Sequence, residues 1–525
     1  MPATTAEKHP SLAREPANLI GGKWIPIPGE TIASRNPARP DRVVWRGDSS
    51  PQAAHEAIAA ARDALPAWSS MSFDRRAEAL RSFQKLAKDR ADAFAEILCD
   101  ETGKALWECK AEAGLLSAKV DITLETGEFS GRHRVTDFSF PMGETKRAAC
   151  YFRPHGVMAC LGPFNFPGHL PNGHIVPALA MGNTVVFKPS DKTPGVGQFL
   201  AELYAEALDS VGAPPGVVNL VQGGVDVASA VIASPDIDGV LFTGSWPVGR
   251  KILEASLDYP GRMVALELGG NNPAVVLPDA DLRQAAIEIV RCAFITTGQR
   301  CTCTRRLIVH EAVADRLIPA IVEAASRLVV GDPRSAEPVF MGPIINEASQ
   351  QAVFRFERRL AEAGGRVLLG SRPLEGREGW YVTPSIVEVD RFVNRPGDDP
   401  EGFHPGCDEE IFGPLLRIAR VSDLDGAIDQ ANRTRYGLAA SIFTRDEQAQ
   451  RRFLAECRAG CVNVNTGTAG ASSKLPFGGL GNSGNHRPAG AFSLDYCAFP
   501  TANMTELGAD AQIAQGMTFD DAWLA

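Results

Sequence analysis

Residues 157–161, Val-Met-Ala-Cys-Leu, form a short and wholly apolar run of the kind that decides the fold of this chain. From about residue 155 onwards, such runs alternate with stretches of helical periodicity, as at 198–208 and 225–233. The strands predicted in this half of the chain are 157–161, 184–187, 217–221, 240–242 and 264–268. Short buried strands that alternate with helices indicate βαβ units, so the sequence predicts an α/β fold with a parallel sheet.

A second alternation of the same kind runs from residue 281 to about residue 465. Its predicted strands and helices are strands 306–309, 366–369 and 461–464, and helices 281–293 and 312–328. Two sheet-and-helix modules that meet near residue 270 are therefore expected.

The segment that precedes the first module has its own local signals. We expect a hairpin at 21–24 and helices at 51–68 and 74–100, and the second helix is predicted to end at Gly103 because glycine adopts the left-handed conformation of a helix C-terminus.

Bulk composition excludes several classes of protein. A chain of 525 residues is too long for one ordinary core, so two or three domains are expected. The net charge of -10 argues against a nucleic-acid binder, and no apolar run is long enough to cross a membrane. The eleven cysteines show no framework spacing, and the first residues lack an apolar signal region. We therefore expect a cytoplasmic protein with reduced thiols.

Residues 297–303, Thr-Gly-Gln-Arg-Cys-Thr-Cys, place Cys301 in a small polar turn where a free thiol is a candidate nucleophile. Upstream, Glu267 is followed closely by two glycines, at positions 269 and 270. A thiol and a carboxylate are the groups that a covalent route through a thioester needs. Cys301 and Cys303 could instead be half of a metal site. No second Cys or His pair at ligand spacing accompanies them, so we expect no metal.

Two segments could bind a nucleotide. Residues 242–250 follow a predicted strand and open a helix, where glycines and free N–H groups could hold a phosphate and Ser245 could cap the helix. Residues 185–191 end another strand, and Lys188 and Asp191 could grip ribose hydroxyls there. Taken alone, the first segment would be read as an ordinary strand-to-helix turn and the second as a solvated charge pair.

Two further residues could contribute to the same chemistry. Asn165 lies between aromatic residues and prolines at 163–167, and a rigid side-chain amide is a suitable oxyanion donor. Glu410 lies two residues before Phe412 in the segment 409–414. Taken alone, Asn165 is equally a turn residue that satisfies its own backbone, and 409–414 reads as the start of an amphipathic strand.

Together these motifs resemble the aldehyde dehydrogenase superfamily, in order and in spacing, from residue 21 to residue 479. The segments 162–177, 269–273, 298–303 and 484–488 are most similar to the branch that oxidises N-succinylglutamate 5-semialdehyde with NAD in arginine breakdown. The chain departs from that branch at 463–470, where the branch usually has a tryptophan and a different loop. This loop helps to line the substrate entrance in the superfamily, so the departure bears on the substrate more than on the chemistry.

The resemblance implies a role for each of these residues. Cys301 would attack the aldehyde, Asn165 and the Cys301 backbone N–H would hold the oxyanion, and Glu267 would activate water to hydrolyse a thioester. The Cys301 thiol would have to be activated, by a lower pKa or by removal of its proton. The implied NAD-binding residues are Lys188, Ser190, Asp191, Gly244, Ser245, Trp246, Pro247, Val248, Gly249, Glu410 and Phe412. The candidate substrate-binding residues are His169, Arg300, Gly470, Ala471, Ser472 and Ser473.

The resemblance also implies a domain organisation, with two parallel-sheet α/β domains and a small β oligomerisation segment. The expected division is a loose leader at 1–18, an NAD-binding domain at 19–131 and 150–270, a catalytic domain at 271–465, an oligomerisation segment at 132–149 and 490–500, and a tail at 501–525. The expected partners are a small aldehyde and further copies of the chain in a homodimer or homotetramer, with no nucleic acid and no membrane.

Three other functions stay open at this point. The chain could oxidise another carboxylated aldehyde, such as glutamate or succinate semialdehyde. It could be a cysteine-dependent esterase without redox chemistry, against which the two nucleotide-type segments argue. It could also be a non-catalytic scaffold, against which the retention of Asn165, Glu267, Cys301 and Glu410 argues.

Overall fold

The computed structural model describes residues 9–470, 472–509 and 511–525. The elements of the first half are β1 (Ala17–Ile20), β2 (Lys23–Pro26), β3 (Ile32–Asn36), β4 (Arg39–Gly47), α1 (Pro51–Ser70), α2 (Phe73–Asp89), α3 (Ala91–Thr102), α4 (Leu106–Leu124), α5 (Gly131–Arg134), β5 (Phe138–Pro141), β6 (Lys146–Pro154), β7 (Val157–Leu161), α6 (His169–Ala180), β8 (Thr184–Lys188), α7 (Pro194–Ser210), β9 (Val218–Leu220), α8 (Val225–Ala233), β10 (Gly239–Thr243), α9 (Trp246–Ala255) and β11 (Met263–Glu267).

The second half continues the alternation of strands and helices. Its elements are β12 (Asn272–Val276), α10 (Leu282–Phe294), β13 (Thr304–His310), α11 (Glu311–Ser326), α12 (Glu347–Glu362), β14 (Arg366–Leu369), β15 (Ser385–Glu388), β16 (Leu415–Val421), α13 (Leu424–Asn432), β17 (Ala439–Phe443), α14 (Glu447–Glu456), β18 (Cys461–Val464), β19 (Pro476–Phe477), β20 (Ala489–Gly490) and β21 (Ala498–Glu506), with 3₁₀ turns at Ile295–Gly298, Gly481–Ser483 and Asp521–Leu524.

The first sheet has the strand order β11-β10-β7-β8-β9-β1-β2. Strands β7 to β11 are parallel, and the hairpin of β1 and β2 adds an antiparallel edge. The chain moves outward from β7 in one direction through β8 and β9, and in the other through β10 and β11. Ligands of open α/β sheets bind at such a reversal, beyond the carboxyl ends of the strands. The predicted strands and the hairpin of this half are confirmed.

Both faces of the first sheet are buried, which explains why its strands are apolar without alternation. Met158 and Cys160 of β7 face a core built with α2, α3, α4, α6 and α7. Val157, Ala159 and Leu161 face a second core built with α1, α8 and α9. Each large apolar side chain buried in this way contributes about 1.5–3 kcal/mol to folding. The strand ends are thereby fixed between two packed layers.

The second sheet has the order β14-β15-β16-β13-β12-β17-β18, in which only β14 is antiparallel to its neighbour. Apolar cores again lie on both faces. The chain passes from the carboxyl end of β11 to the amino end of β12 through residues 268–271. The carboxyl ends of the first sheet therefore lie beside the amino ends of the second.

A third sheet has the order β21-β6-β5 and is antiparallel. It contains much of the predicted oligomerisation segment, and β21 continues to Glu506, beyond the predicted start of the tail. Phe138, Phe140, Phe499 and Met504 of this sheet are all more than half exposed.

One prediction of secondary structure is wrong. The helix expected at 74–100 is two helices, because the backbone leaves the helical region at Arg90 (φ -110°, ψ 16°) between α2 and α3. Gly103 does end α3 in the left-handed conformation, with φ 71°. The segment 409–414, which taken alone reads as the start of a strand, is a loop, and β16 begins at Leu415. No helix in the described ranges is long and apolar enough to cross a membrane.

Candidate active site

The backbone before Cys301 is left-handed at three consecutive positions. Thr296, Thr297 and Gly298 have φ values of 57°, 54° and 72°. For β-branched residues this conformation is a genuine outlier and costs on the order of 1–3 kcal/mol each. Glycine is required at 298 for a second reason, because a Cβ there would lie 2.1 Å from the carbonyl oxygen of Gly413. The turn is therefore held in one strained shape that presents Cys301.

Hydrogen bonds from other elements hold this shape. The hydroxyl of Thr296 donates to a carboxylate oxygen of Glu108 on α4 at 2.6 Å. The guanidinium of Arg305 on β13 donates to the carbonyl oxygen of Gly298 at 2.6 Å. These contacts offset the backbone strain and fix the position of Cys301 relative to both sheets.

The two thiols of the turn lie in different environments. Their backbones share one partner, since the side-chain amide of Asn272 donates to the carbonyl oxygens of Cys301 at 2.7 Å and Cys303 at 2.8 Å. Their side chains differ. The side chain of Cys303 is fully buried among core residues, whereas Cys301 is partly exposed and lines two cavities. Access to a ligand thus distinguishes Cys301 from Cys303.

The larger of these cavities has a volume of about 490 Å³ and lies beyond the carboxyl ends of β7, β8 and β10. Its lining includes most of the residues predicted to bind NAD: Lys188, Ser190, Asp191, Gly244, Ser245, Val248, Glu410 and Phe412, together with Asn165. Trp246, Pro247 and Gly249 belong to the first turn of α9 and are not part of this lining.

The phosphate-type turn of the larger cavity has the predicted form. Strand β10 ends at Thr243, and Ser245 is the N-cap residue of α9. The Ser245 hydroxyl makes no capping hydrogen bond, contrary to the expectation that it caps the helix. The Ser245 hydroxyl and the N–H of Trp246 therefore remain available to an anion, whereas Pro247 has no N–H and the N–H groups of Val248 and Gly249 donate to the carbonyl oxygen of Ser245.

A cluster of charges forms the opposite wall. Lys188 is 8% exposed, and burial lowers the pKa of its ammonium group while Asp191 and Asp226 oppose that shift. Lys192, which the sequence did not single out, lies 4.5 Å from the centroid of the Phe164 ring. This wall therefore presents two ammonium groups and the exposed carboxylate of Asp191 to a ligand.

The paired glycines after Glu267 let Glu410 enter the larger cavity. The backbone N–H of Gly270 donates to Glu410 at 3.0 Å. A Cβ at Gly269 would lie 1.8 Å from a carboxylate oxygen of Glu410, so only glycine leaves room for it. Burial raises the pKa of the Glu410 carboxyl group. Phe412 packs edge-on against Phe164 at 5.8 Å between ring centroids.

The smaller cavity has a volume of about 220 Å³ and contains Glu267 together with Cys301. Of the predicted substrate residues, His169, Arg300, Ser472 and Ser473 line it. Gly470 is exposed and outside this lining, and Ala471 lies outside the described residues.

Several residues of the smaller cavity were missed by the sequence reasoning. They are Leu115, Lys119, Phe166, Leu170, Gly173, His174, Thr243, Thr302, Ala469, Phe477, Ala489 and Gly490. One signal was available for Lys119. It lies three residues after Leu116 and one before Val120, so a lysine occupies the apolar stripe of α4.

Glu267 is a buried carboxyl group without partners. It ends β11, is 4% exposed, and neither carboxyl oxygen makes a hydrogen bond in the described structure. Burial raises the pKa of Glu267 well above its usual range, although the nearby amide of Ala489 lowers it slightly. Native proteins rarely leave buried polar atoms unsatisfied, and a carboxyl group with a raised pKa suits proton transfer near neutral pH.

Asn165 lies in the loop after β7 and reaches the cysteine turn. Its side-chain amide donates to the carbonyl oxygen of Gln299 at 3.0 Å. The backbone carbonyl oxygen of Asn165 accepts a hydrogen bond from the buried ammonium of Lys104 at 2.8 Å. The amide carries a second N–H, which has no partner among the described residues and is available to an oxyanion near Cys301.

The thiol of Cys301 is not activated by its surroundings as they stand. Burial raises the pKa of Cys301 strongly, and the carboxyl groups of Glu410 and Glu267 raise it further. The sequence left two ways to activate the thiol, a lower pKa or removal of its proton. This arrangement does not lower the pKa. The raised pKa favours the other route, removal of the Cys301 proton by a base.

Two predicted substrate residues have restricted roles. The guanidinium of Arg300 pairs with the carboxylate of Glu108 at 2.8 Å, so its charge is already compensated. Burial lowers the pKa of His169 to about 4, so the imidazole is neutral at pH 7. Its Nδ1 atom has no hydrogen-bond partner in the described structure.

Comparisons with known proteins identify the family of the chain. Residues 24–500 match the model of the Aldehyde dehydrogenase family. An N-succinylglutamate 5-semialdehyde dehydrogenase 2 from Caulobacter vibrioides is 45% identical over 92% of this chain and 95% of its own length. An N-succinylglutamate 5-semialdehyde dehydrogenase from Paraburkholderia xenovorans is 41% identical over 95% of this chain and 99% of its own.

Solved structures give the same result. The NAD-dependent aldehyde dehydrogenase from Sinorhizobium meliloti has a TM-score of 0.86 and 30% identity, over 95% of this chain and 96% of its own. The glyceraldehyde-3-phosphate dehydrogenase GapN from Methanocaldococcus jannaschii, complexed with NADP, has a TM-score of 0.82 and 29% identity, over 91% of this chain and 100% of its own.

Proposed function

The chain belongs to the aldehyde dehydrogenase family, and on that premise we propose that it oxidises N-succinylglutamate 5-semialdehyde to N-succinylglutamate with NAD. The observation that carries the chemistry is that one thiol, Cys301, lines both cavities. The names of relatives that are 41–45% identical over nearly the whole chain support the substrate.

In the proposed reaction the substrate aldehyde enters the smaller cavity. The sulfur of Cys301 forms a bond to the carbonyl carbon, and the thiol proton leaves to a base. The oxygen becomes an oxyanion that the amide of Asn165 and the backbone N–H of Cys301 stabilise. The residues of the larger cavity would hold NAD, which when bound would supply a hydride acceptor for the same carbon, so that this carbon becomes the carbonyl carbon of a thioester on Cys301.

Glu267 completes the cycle in this proposal. Its carboxylate removes a proton from water, whose oxygen attacks the thioester carbon. The bond from carbon to sulfur breaks, the acid is released, and the Cys301 thiol is restored. The raised pKa and the unpartnered oxygens of Glu267 support this role, because a general base works best with a pKa near the working pH.

The larger cavity has the groups that a dinucleotide needs. Lys188 and Asp191 would bind ribose hydroxyls, Ser245 and the first turn of α9 would bind the pyrophosphate, and Glu410 would bind the nicotinamide ribose. Phe412 would brace the nicotinamide ring. We propose NAD rather than NADP because the Asp191 carboxylate would repel a 2′-phosphate.

We also propose that copies of the chain associate as a homodimer or homotetramer through the third sheet. Its exposed apolar side chains, including Phe138, Phe140 and Phe499, support association with a second copy of the chain. A molar mass of two or four times 56.1 kDa in light scattering is expected, and a mass of one chain would contradict it.

The proposed substrate is tested by following NAD reduction with four aldehydes. They are N-succinylglutamate 5-semialdehyde, glutamate 5-semialdehyde, succinate semialdehyde and butanal. We expect kcat/KM to be at least about tenfold higher for the first than for any other. Equal values for the first three would overturn the substrate, and ester cleavage without NAD reduction would overturn the reaction.

A further inference from the structure

The smaller cavity contains a buried ammonium group that the mechanism does not use. Lys119 lies on α4, is 3% exposed, and lines the cavity together with Cys301. Its Nζ atom donates to the carbonyl oxygen of Gly490 at 2.8 Å and to the hydroxyl of Ser493 at 3.0 Å. An ammonium has three donors, so one N–H of Lys119 is left without a partner among the described residues.

Lys104, the other buried lysine of this region, has a counter-ion, which Lys119 lacks. Lys104 is 2% exposed at its side chain and pairs with the fully buried carboxylate of Glu112. No aspartate or glutamate in the described structure forms an ion pair with Lys119, whose two partners are neutral. A buried charge without a counter-ion is costly, so Lys119 stands in a site that an anion would stabilise.

The groups around Lys119 do not neutralise it. Its charge contributes to lowering the pKa of both His169 and His174, which burial lowers to about 4 and about 3, so both are neutral at pH 7. Cys497 nearby is a buried thiol whose pKa is raised. The remaining charged groups of the cavity wall are Arg300, which is paired with Glu108, and Glu267, whose burial favours its neutral form.

Lys119 nevertheless keeps its charge at neutral pH. Burial lowers the pKa of its ammonium to about 8. At pH 7 about nine tenths of the molecules therefore carry the proton before any ligand binds. A carboxylate that bound beside it would raise the pKa again and hold the charged form.

We propose that Lys119 binds a carboxylate of the substrate while the aldehyde group reaches Cys301, and that this contact selects carboxylated aldehydes. The inference rests on the proposed function, since it takes an aldehyde with a carboxylate as the ligand of the smaller cavity. Nδ1 of His169, which has no partner in the same wall, is a second group that the bound substrate would satisfy.

The test compares Lys119→Met and Lys119→Gln with the wild-type enzyme on N-succinylglutamate 5-semialdehyde and on butanal. The Gln variant keeps donors for Gly490 and Ser493 without the charge. We expect kcat/KM for the carboxylated aldehyde to fall about 10- to 100-fold in both variants, mainly through KM. The value for butanal is expected to change by less than about threefold. Lys110→Met, at an exposed lysine of the same helix, is the matched control and should behave as wild type.

A pH profile separates binding from a structural role. In the wild-type enzyme, KM for the carboxylated aldehyde should rise above about pH 8 as Lys119 loses its proton, while KM for butanal should not. Both variants should lack this difference between substrates. Equal losses on both aldehydes would instead make Lys119 an anchor for residues 490–493 and overturn the inference.

The outcomes also distinguish this inference from the proposed function. A wild-type enzyme that does not prefer carboxylated aldehydes would overturn both. A wild-type enzyme that does, with a preference that survives in Lys119→Gln, would overturn the role of Lys119 alone. NAD binding in the larger cavity, measured by calorimetry, confirms that each variant is folded.

Discussion

The two cavities that meet at Cys301 are built in different ways. The larger one lies beyond the carboxyl ends of consecutive strands, and short contiguous motifs supply its walls. The smaller one takes its walls from α4, α6 and the residues 469–490, which are far apart in sequence. A cavity at a strand end can be predicted from local motifs, whereas one assembled from distant surfaces depends on tertiary packing.

The largest expected effect concerns the residue that the cavities share. Cys301→Ser should lower kcat/KM for aldehyde oxidation by at least about 10⁴-fold, because the hydroxyl is a far weaker nucleophile than the thiol. Cys303→Ser is the matched control, since Cys303 is buried away from both cavities. It should retain activity within about fivefold in the same steady-state assay. Equal losses would make the choice of nucleophile wrong.

The next effect belongs to the smaller cavity alone. Glu267→Gln should lower kcat about 10²- to 10⁴-fold, because water would no longer be activated to hydrolyse the thioester. Hydride transfer in the first turnover should persist, so a burst of NADH followed by a slow steady state is expected in stopped flow. Glu128→Gln, at an exposed glutamate, is the control. Loss of the burst would instead place Glu267 before hydride transfer.

The difference between the cavities also explains how much of the fold and of the site could be predicted from the sequence. The apolar strand β7 was predicted to the residue, because burial on both faces leaves a continuous apolar run. Much of the larger cavity was predicted from the segments after two such strands, at 185–191 and 242–250, and the resemblance to aldehyde dehydrogenases added Glu410 and Phe412. The break at Arg90 was missed because the apolar stripe continues across it from α2 to α3.

The smaller cavity was harder to predict for physical reasons. Nothing local to Lys119 shows that its neighbours are Gly490 and Ser493, more than 370 residues away in the chain. Arg300 was proposed as a substrate ligand because Glu108, which compensates its charge, lies 192 residues away in the sequence. Partners of buried charges come from tertiary packing, and the sequence of one segment does not contain them.

The cavities should also differ in their response to acid. His174 lines the smaller cavity and bonds to the hydroxyls of Tyr496 at 2.8 Å and Thr243 at 3.2 Å. Burial lowers its pKa from 6.5 to about 3. Below pH 6.5 the unfolded chain binds a proton at this residue that the folded chain does not. Stability is therefore complete above pH 6.5 and is lost as the pH falls towards 3.

When the pH changes from 7 to 5, protonation of His174 in the unfolded chain should lower the free energy of unfolding by about 2 kcal/mol. His174→Gln keeps a donor and an acceptor without a titrating group. Between pH 7 and pH 5, the free energy of unfolding of this variant, measured in urea, should therefore fall by about 2 kcal/mol less than that of the wild type. His133→Gln, at an exposed histidine, should follow the wild-type curve. An unchanged pH dependence in the His174 variant would show that its imidazole is already charged in the folded enzyme.

The smallest expected effect lies in the larger cavity and should leave the smaller one untouched. Asp191→Ser removes the exposed carboxylate beside Lys188 and Lys192, so a 2′-phosphate would meet two ammonium groups without an opposing anion. The ratio of kcat/KM for NADP to that for NAD should rise about tenfold, which corresponds to about 1.4 kcal/mol. KM for the aldehyde should not change, and Asp258→Ser, at an exposed aspartate outside both cavities, should leave both quantities as in the wild type. If the ratio of kcat/KM for NADP to that for NAD stays constant, other residues of this wall set the preference for NAD. A change in the KM for the aldehyde would show that the two cavities are coupled across Cys301.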